Sequence, residues 1–231
     1  QFLGQIMGKN TDIKSLLIYH GLGSGKTCTS IVVSQALKTE GNKNILFVVP
    51  AALQQQYIEE IKGVIKGKNV ISCSSFCIRE ENGESKRQVY LDTVSQTSYE
   101  SLVKLAADKG SNRFLENQIK TLREKINRKL IDEIEITTHN KFINSLSSEN
   151  SHKNIKNKDS LIVIDEIQRL VSESGISYKK LHSALTRDFK ETRLLLMSAT
   201  PIYDNPHELA LTFNLLRPRI PLPYNKKDFF K

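Results

Sequence analysis

Eight consecutive residues, His20-Gly21-Leu22-Gly23-Ser24-Gly25-Lys26-Thr27, set three glycines, a lysine and a threonine between an apolar run and a stretch of helical spacing. Closely spaced glycines let successive backbone N–H groups turn inward toward phosphate oxygens. A helix opening near Lys26 adds the partial positive charge of its N-terminus. In such a loop Lys26 reaches the β- and γ-phosphates, the Thr27 hydroxyl helps hold Mg²⁺, and Cys28 closes the segment that surrounds the nucleotide. The strict pattern asks for glycine five places before Gly25, and His20 stands there. A purely structural glycine-rich turn is the competing reading. Gly-Lys-Thr between strand and helix favours a nucleoside triphosphate, with ATP and Mg²⁺ as the expected ligands.

A second constellation follows far along the chain. The apolar run Leu161-Ile162-Val163-Ile164 leads into Asp165-Glu166-Ile167-Gln168. Ligands of open α/β sheets sit beyond the carboxyl ends of strands, which is where this acidic pair falls. Asp165 suits Mg²⁺, a hard cation that takes oxygen ligands, and Glu166 suits a group that orients or deprotonates an attacking water. An acidic pair at a helix N-terminus is the alternative explanation. Joined to the phosphate loop, the pair becomes a signal for hydrolysis, with Lys26, Asp165 and Glu166 as the catalytic set.

The elements that must hold these residues are legible as short apolar runs. Ser15–His20, Asn44–Val49, Ser160–Ile164 and Thr192–Met197 are apolar almost throughout, and Val70–Phe76 is a weaker candidate. Continuous apolar runs are the mark of strands buried on both faces of a parallel sheet. Helical spacing over Thr27–Lys38 and from about Ala51 to Ile61 alternates with them, which points to the doubly wound α/β class. Between residues 79 and 135 the pattern changes: a polar stretch with a turn at Asn82-Gly83 precedes Leu115, Ile119, Leu122, Ile126 and Leu130 at helical spacing. This is expected to be a helical insertion with a solvated lysine- and glutamate-rich face, a dedicated binding surface being the alternative.

Composition narrows the classes further. Hydrophobic residues make up 39% and charged residues 26% of the chain, a mixture that supports a packed core and excludes wholesale disorder. No apolar run reaches the ~18 residues of a membrane-spanning helix, and no signal peptide opens the chain, so an intracellular location is expected. The net charge of +9 is spread over the chain, which carries 9 basic and 5 acidic side chains in residues 1–80, 14 and 12 in 81–159, and 11 and 8 in 160–231. An anionic partner must therefore be met by charge gathered through folding, expected around Pro50, Thr138 and the Lys153–Lys158 loop. Three cysteines, Cys28, Cys73 and Cys77, do not make a disulfide scaffold, and a zinc site at Cys73 and Cys77 lacks further ligands nearby.

A third motif extends the set. Leu194-Leu195-Leu196-Met197 runs into Ser198-Ala199-Thr200-Pro201. With GLGSGKT and DEIQ, this segment resembles the superfamily 2 helicases and translocases, whose phosphate loop accepts a non-glycine residue at the place of His20. The resemblance implies a RecA-like P-loop domain and gives Gln168, Ser198, Ala199 and Thr200 the task of linking the nucleotide site to nucleic acid. It also implies nucleic-acid backbone contacts at Pro50 and Ala51, and at Thr137 and Thr138, where ordinary strand ends and a helix cap are the alternative. The adenine-recognising glutamine of the family lies upstream of the phosphate loop, in the region of Gln1 or Gln5.

The wording LLIYHGLGSGKTCTS, IDEIQRL and LMSATPIYDNP is similar to helicase-like ATPases of large cytoplasmic DNA viruses, including poxvirus-type early transcription factor subunits and nucleoside triphosphatases. That resemblance implies DNA over RNA as partner, viral RNA polymerase or transcription factor subunits as further partners, and virion and host cytoplasm as locations. Its alternative is a transcription factor subunit that binds promoter DNA and uses ATP as a switch. Members of the superfamily act with two lobes, the second supplying an arginine to the γ-phosphate. Residues 1–220 are therefore expected to form one lobe, weak or inactive alone. Arg217, Arg219, Pro218 and Pro221 read as the exit from it, and 221–231 as the start of a linker.

Overall fold

The computed structural model of the chain describes residues 3, 6–7, 12–19, 21, 25–39, 44–62, 64–65, 68–69, 78–81, 84–87, 105, 113–115, 117–118, 121, 134–148, 152–172, 175–200, 208–223 and 226–229. His20, Leu22, Gly23 and Ser24 of the phosphate loop, Gln1, Gln5, the Val70–Phe76 strand candidate, Cys73, Cys77, Asn82-Gly83, Pro201 and Asn205-Pro206-His207 lie outside the described residues.

Five strands form one parallel sheet: β1 (Ser15–Tyr19), β2 (Asn44–Val49), β7 (Ile134–Thr138), β8 (Ser160–Ile164) and β9 (Arg193–Ser198). Their order across the sheet is β1-β9-β8-β2-β7. All four strand pairings are parallel, so every strand carries its carboxyl end to the same edge. Registers such as Tyr19↔Ser198, Val48↔Ile164 and Val49↔Thr138 bring the predicted motif ends level with one another.

Alternate residues of each strand feed two separate apolar layers, as the period of two requires. Ile45, Phe47, Val49, Leu161, Val163, Leu195 and Met197 pack against Ile31, Val33 and Leu37 of α1 (Lys26–Thr39) and Tyr57 and Ile61 of α2 (Gln54–Lys62). Leu46, Val48, Ile162, Ile164, Leu194 and Leu196 pack on the other side. They meet α3 (His139–Ser145), α4 (Ile176–Arg187) and α5 (Glu208–Leu215) through Phe142, Leu181, Leu185, Leu211 and Leu215. Helices on both faces explain why β2, β8 and β9 read as unbroken apolar runs. The expected α/β architecture, a mostly parallel RecA-like sheet covered on both sides, is the one observed.

Three features depart from the sequence reading. The segment placed at the start of a helical insertion includes a hairpin: β5 (Ile78–Glu81) pairs antiparallel with β6 (Glu84–Arg87), after the short pair β3 (Val64–Ile65) and β4 (Lys68–Asn69). Arg113–Leu115 and Asn117–Gln118 are helical, and the segment returns to the sheet as the edge strand β7.

The Lys153–Lys158 loop does not join Pro50 and Thr138. Asn154 accepts a hydrogen bond from Asn44 at the start of β2, and Ile155 accepts one from Thr192 just before β9, which fixes the loop at the amino ends of the strands. Charge there cannot combine with charge at the carboxyl ends, a whole strand length away.

Arg217, finally, is no mere exit residue. Its guanidinium donates to Ser15 Oγ at 2.6 Å, to the carbonyls of Phe189 at 2.6 Å and Thr192 at 2.9 Å, and more weakly to that of Lys14. The chain then folds back, because Asn214 bonds both the N–H and the carbonyl of Leu222, beyond the expected boundary at 220, before a last turn of helix, α6 (Lys226–Phe229).

Candidate nucleotide site at the carboxyl edge of the sheet

Gly25 has φ +81°, a conformation open to glycine at little cost, and it turns the chain into α1. The Gly25 carbonyl accepts the first helical bond from Thr29 N–H at 2.9 Å and another from the Thr29 hydroxyl. Lys26, Thr27 and Cys28 therefore occupy the first turn, whose N–H groups lack partners within the helix. That is the geometry of an anion site at a helix N-terminus.

Asp165 and Glu166 emerge from β8 on the same edge. The backbone of this pair is held tightly. Asp165 N–H donates to Val48 O at 3.0 Å, Glu166 N–H donates to Asp165 Oδ1 at 2.9 Å, and His139 Nε2 bonds the Asp165 carbonyl at 2.7 Å. Glu166 itself is left-handed, φ 52° and ψ 49°, a conformation uncommon outside glycine and one that clusters at functional sites. Only a short 3-10 turn, Ile167–Leu170, follows, and neither carboxylate caps it. The helix N-terminal explanation of the acidic pair is thereby removed.

The two motifs meet directly. Lys26 Nζ donates to Glu166 Oε1, in a pair whose side chains are 11% and 15% exposed, so little water screens it. The other carboxylate oxygen of Glu166 accepts from Gln168 Nε2. Gln168 Oε1 accepts from Ser198 Oγ at 2.8 Å, and Ser198 Oγ accepts from Thr200 N–H at 3.0 Å. An unbroken path of hydrogen bonds thus runs from the phosphate-loop lysine through Glu166 and Gln168 to the Ser-Ala-Thr segment. Ser198 and Ala199 are buried and Thr200 is exposed.

Burial sets the protonation behaviour of the carboxylates against each other. Asp165, 1% exposed, has its pKa raised, chiefly by burial and further by the charge of Glu166, while hydrogen bonds from Tyr57 and the Glu166 N–H and the charge of Lys26 oppose the rise. Burial also pushes Glu166 up, but the bonds from Lys26 and Gln168 with the charges of Lys26 and Arg169 outweigh it and leave its pKa lowered. Glu166 is held ionised beside Lys26. His139 is shifted down by burial, which favours the neutral ring.

The oxygen donors fit Mg²⁺, which takes one or two protein ligands and fills its octahedron with phosphate and water. The two oxygens of Asp165 each accept one protein donor and keep lone pairs for a hydrated cation. Thr27, half-buried in the first turn of α1, offers a hydroxyl. Among the described residues no group of three or more His, Cys, Asp or Glu side chains could hold a metal, and a phosphate-bound Mg²⁺ needs none.

The expected nucleic-acid contacts sit on the same edge. Pro50 is buried and precedes the 3-10 turn Ala51–Leu53, where Ala51 is exposed. Thr137 is half-buried, and the Thr138 hydroxyl accepts from Lys141 N–H as the cap of α3. For Thr138 the hydroxyl is engaged in capping. Tyr57 and His139 both reach Asp165, across 108 and 26 positions of the sequence.

A parallel five-stranded sheet with a glycine-turned loop into α1 and an acidic pair after β8 defines a RecA-like P-loop domain. The chain belongs to the family described as type III restriction enzyme, res subunit, whose match covers residues 5–203. Its relatives include R563 of Acanthamoeba polyphaga mimivirus, named as an ATP-dependent RNA helicase. That protein is 30% identical over 218 residues, 94% of this chain and 31% of the relative. A second mimivirus protein, R350, named likewise, is 29% identical over 235 residues, covering 99% of this chain and 24% of itself. Nucleoside triphosphatase I of Heliothis armigera entomopoxvirus is 37% identical over 90 residues, 35% of this chain and 14% of the relative. The chain thus spans about a third or less of the length of these relatives. Among the described residues no helix is long and apolar enough to cross a membrane.

Proposed function

We propose that this chain is the first ATPase lobe of a viral, nucleic-acid-dependent helicase or translocase. The observation that carries the reading is the hydrogen-bonded path Lys26–Glu166–Gln168–Ser198–Thr200, which joins a phosphate-binding lysine to the exposed Thr200. Lys26 would leave Glu166 for the phosphates of ATP, and the freed carboxylate would orient the attacking water. Thr27 and Asp165 would hold Mg²⁺, whose charge offsets the charge on the phosphate oxygens. A shift at Glu166 moves Gln168, then Ser198 and Thr200, so hydrolysis and the nucleic-acid-facing segments report to one another. Ala51 and the first turns after β2 and β7 present N–H groups suited to a phosphate backbone. A second lobe would complete the γ-phosphate site with an arginine.

DNA is the partner this reading prefers, in a transcription-linked role inside the infected cell. The names of two relatives speak of RNA helicases, so the experiment compares both polymers. ATP turnover by the full-length protein is measured alone, with single-stranded DNA and with single-stranded RNA, for wild type and Lys26→Ala. DNA should stimulate turnover several-fold and RNA less, and neither should stimulate the variant. Turnover unaffected by any nucleic acid would leave an ATP switch or a small-molecule phosphotransferase in its place.

A further inference from the structure

Tyr57 is 0% exposed, and its hydroxyl cannot reach solvent. A buried hydroxyl must find a partner, and this one has chosen a functional group: it donates to Asp165 Oδ2 at 2.9 Å. Ser30 Oγ lies 3.5 Å from the same hydroxyl but is also 2.7 Å from Thr27 O, its better acceptor. Ser30 thus stands between the hydroxyl and the Thr27 carbonyl in the first turn of α1. The Tyr57 oxygen therefore sits between the first turn of α1 and the carboxylate after β8, the two segments that offer oxygen to a cation. Its ring is fixed by Phe47, with centroids 5.5 Å apart, and α2 carries it directly beyond the Ala51–Leu53 turn.

We infer that Tyr57 is a positioning residue for the cation: its hydroxyl fixes the rotation of the Asp165 carboxylate and ties the distance between Asp165 and Thr27 to the seating of α2. The inference rests on the reading that Asp165 and Thr27 hold Mg²⁺. With Oδ1 fixed by Glu166 N–H and Oδ2 by Tyr57, the carboxylate plane has one orientation, and the remaining lone pairs face one direction. Loss of the hydroxyl frees that rotation while the ring still fills its place beside Phe47. Because α2 begins immediately after the segment expected to touch nucleic acid, the same contact gives that segment a hold on the cation.

The test is Tyr57→Phe in the full-length protein, read by binding of a fluorescent ATP analogue as Mg²⁺ is varied, with a parallel titration in EDTA. The Mg²⁺ concentration for half-maximal binding should rise roughly tenfold or more, the usual scale for losing a partner that orients a metal ligand. Binding in EDTA should stay near wild type and the melting temperature should fall by no more than a few degrees, the scale of one lost hydrogen bond; in an Asp165→Asn background the same substitution should change the Mg²⁺ requirement little. Wild-type Mg²⁺ dependence with an identical curve for Tyr57→Phe would overturn the inference and leave the ATPase reading intact. An equal added effect in both backgrounds would likewise overturn it, by showing that the hydroxyl acts elsewhere than through Asp165. Binding in wild type without any Mg²⁺ dependence would overturn both.

Discussion

The two edges of the sheet carry polar clusters built on opposite principles. At the carboxyl edge, Lys26, Glu166, Gln168 and Ser198 bond one another side chain to side chain. At the amino edge, Arg217 donates to Ser15 Oγ and to three main-chain carbonyls. Each cluster contains a non-glycine residue at positive φ, Glu166 at 52° and Arg217 at 62°. A carbonyl of the main chain cannot turn away without moving its element, so Arg217 locks the start of β1, the end of α4 and the chain after α5 together. Side chains can exchange partners with the backbone unmoved, so the carboxyl edge can answer a phosphate.

The first way to test this contrast is to cut each cluster. Lys26→Ala should weaken ATP binding about a hundredfold in an equilibrium titration, the scale of hydrogen bonds from a charged donor. Arg217→Ala should cost about 2 kcal/mol and lower the melting temperature by roughly 5 °C, because it strips the donor from several carbonyls. ATP affinity of the folded protein should not change. A loss of nucleotide affinity in Arg217→Ala would show that the two edges are not separate.

A smaller effect probes the relay itself. Ser198→Ala removes the donor to Gln168 Oε1 and the acceptor for Thr200 N–H. Basal turnover should stay within about twofold of wild type while stimulation by nucleic acid drops about fivefold, a common size for coupling between sites. Equal loss of both rates would place Ser198 in the chemistry and not in the coupling.

The smallest effect is one of stability against pH. The pKa of Asp165 is raised by burial, so the folded state binds that proton more tightly than the unfolded chain does. Its ionised form then costs stability, a cost absent well below the ordinary carboxylate range and complete above the raised value. Asp165→Asn, which cannot ionise, should raise the melting temperature by a few degrees at pH 7.5. The gain should shrink on acidification and vanish below about pH 3. Glu166 runs the other way: its lowered pKa means that its pairing stabilises the fold above the ordinary carboxylate range and is lost as pH falls through the depressed value. Melting temperatures of the variant across pH separate the two signs.

Much of this architecture is legible in the sequence because it is periodic or local. β2 and β8 are unbroken apolar runs, and the phosphate loop and the Asp-Glu pair sit at the ends of such runs. What escapes is held by contacts between distant positions. Arg217 next to proline reads as an exit, yet it reaches Ser15 across 202 positions. Tyr57 reads as one more apolar residue of an amphipathic helix, and only the register of β2 against β8 shows its hydroxyl at Asp165. The hairpin Ile78–Arg87 alternates no clear apolar face, so its pairing left no period to find. The Lys153–Lys158 loop lies at the amino edge and not beside Pro50, because sequence gives charge without direction along a strand.

Under the proposed function Glu166 is the base of hydrolysis at the carboxyl edge, and the decisive experiment is steady-state ATP turnover of full-length Glu166→Gln in saturating nucleic acid. The substitution keeps the side chain's size and its capacity to bond Gln168 while removing the base. Turnover should fall at least about a hundredfold, the lower range for loss of a general base, with ATP affinity within a few-fold of wild type. Turnover at the wild-type rate in the variant would show that Glu166 is not the base.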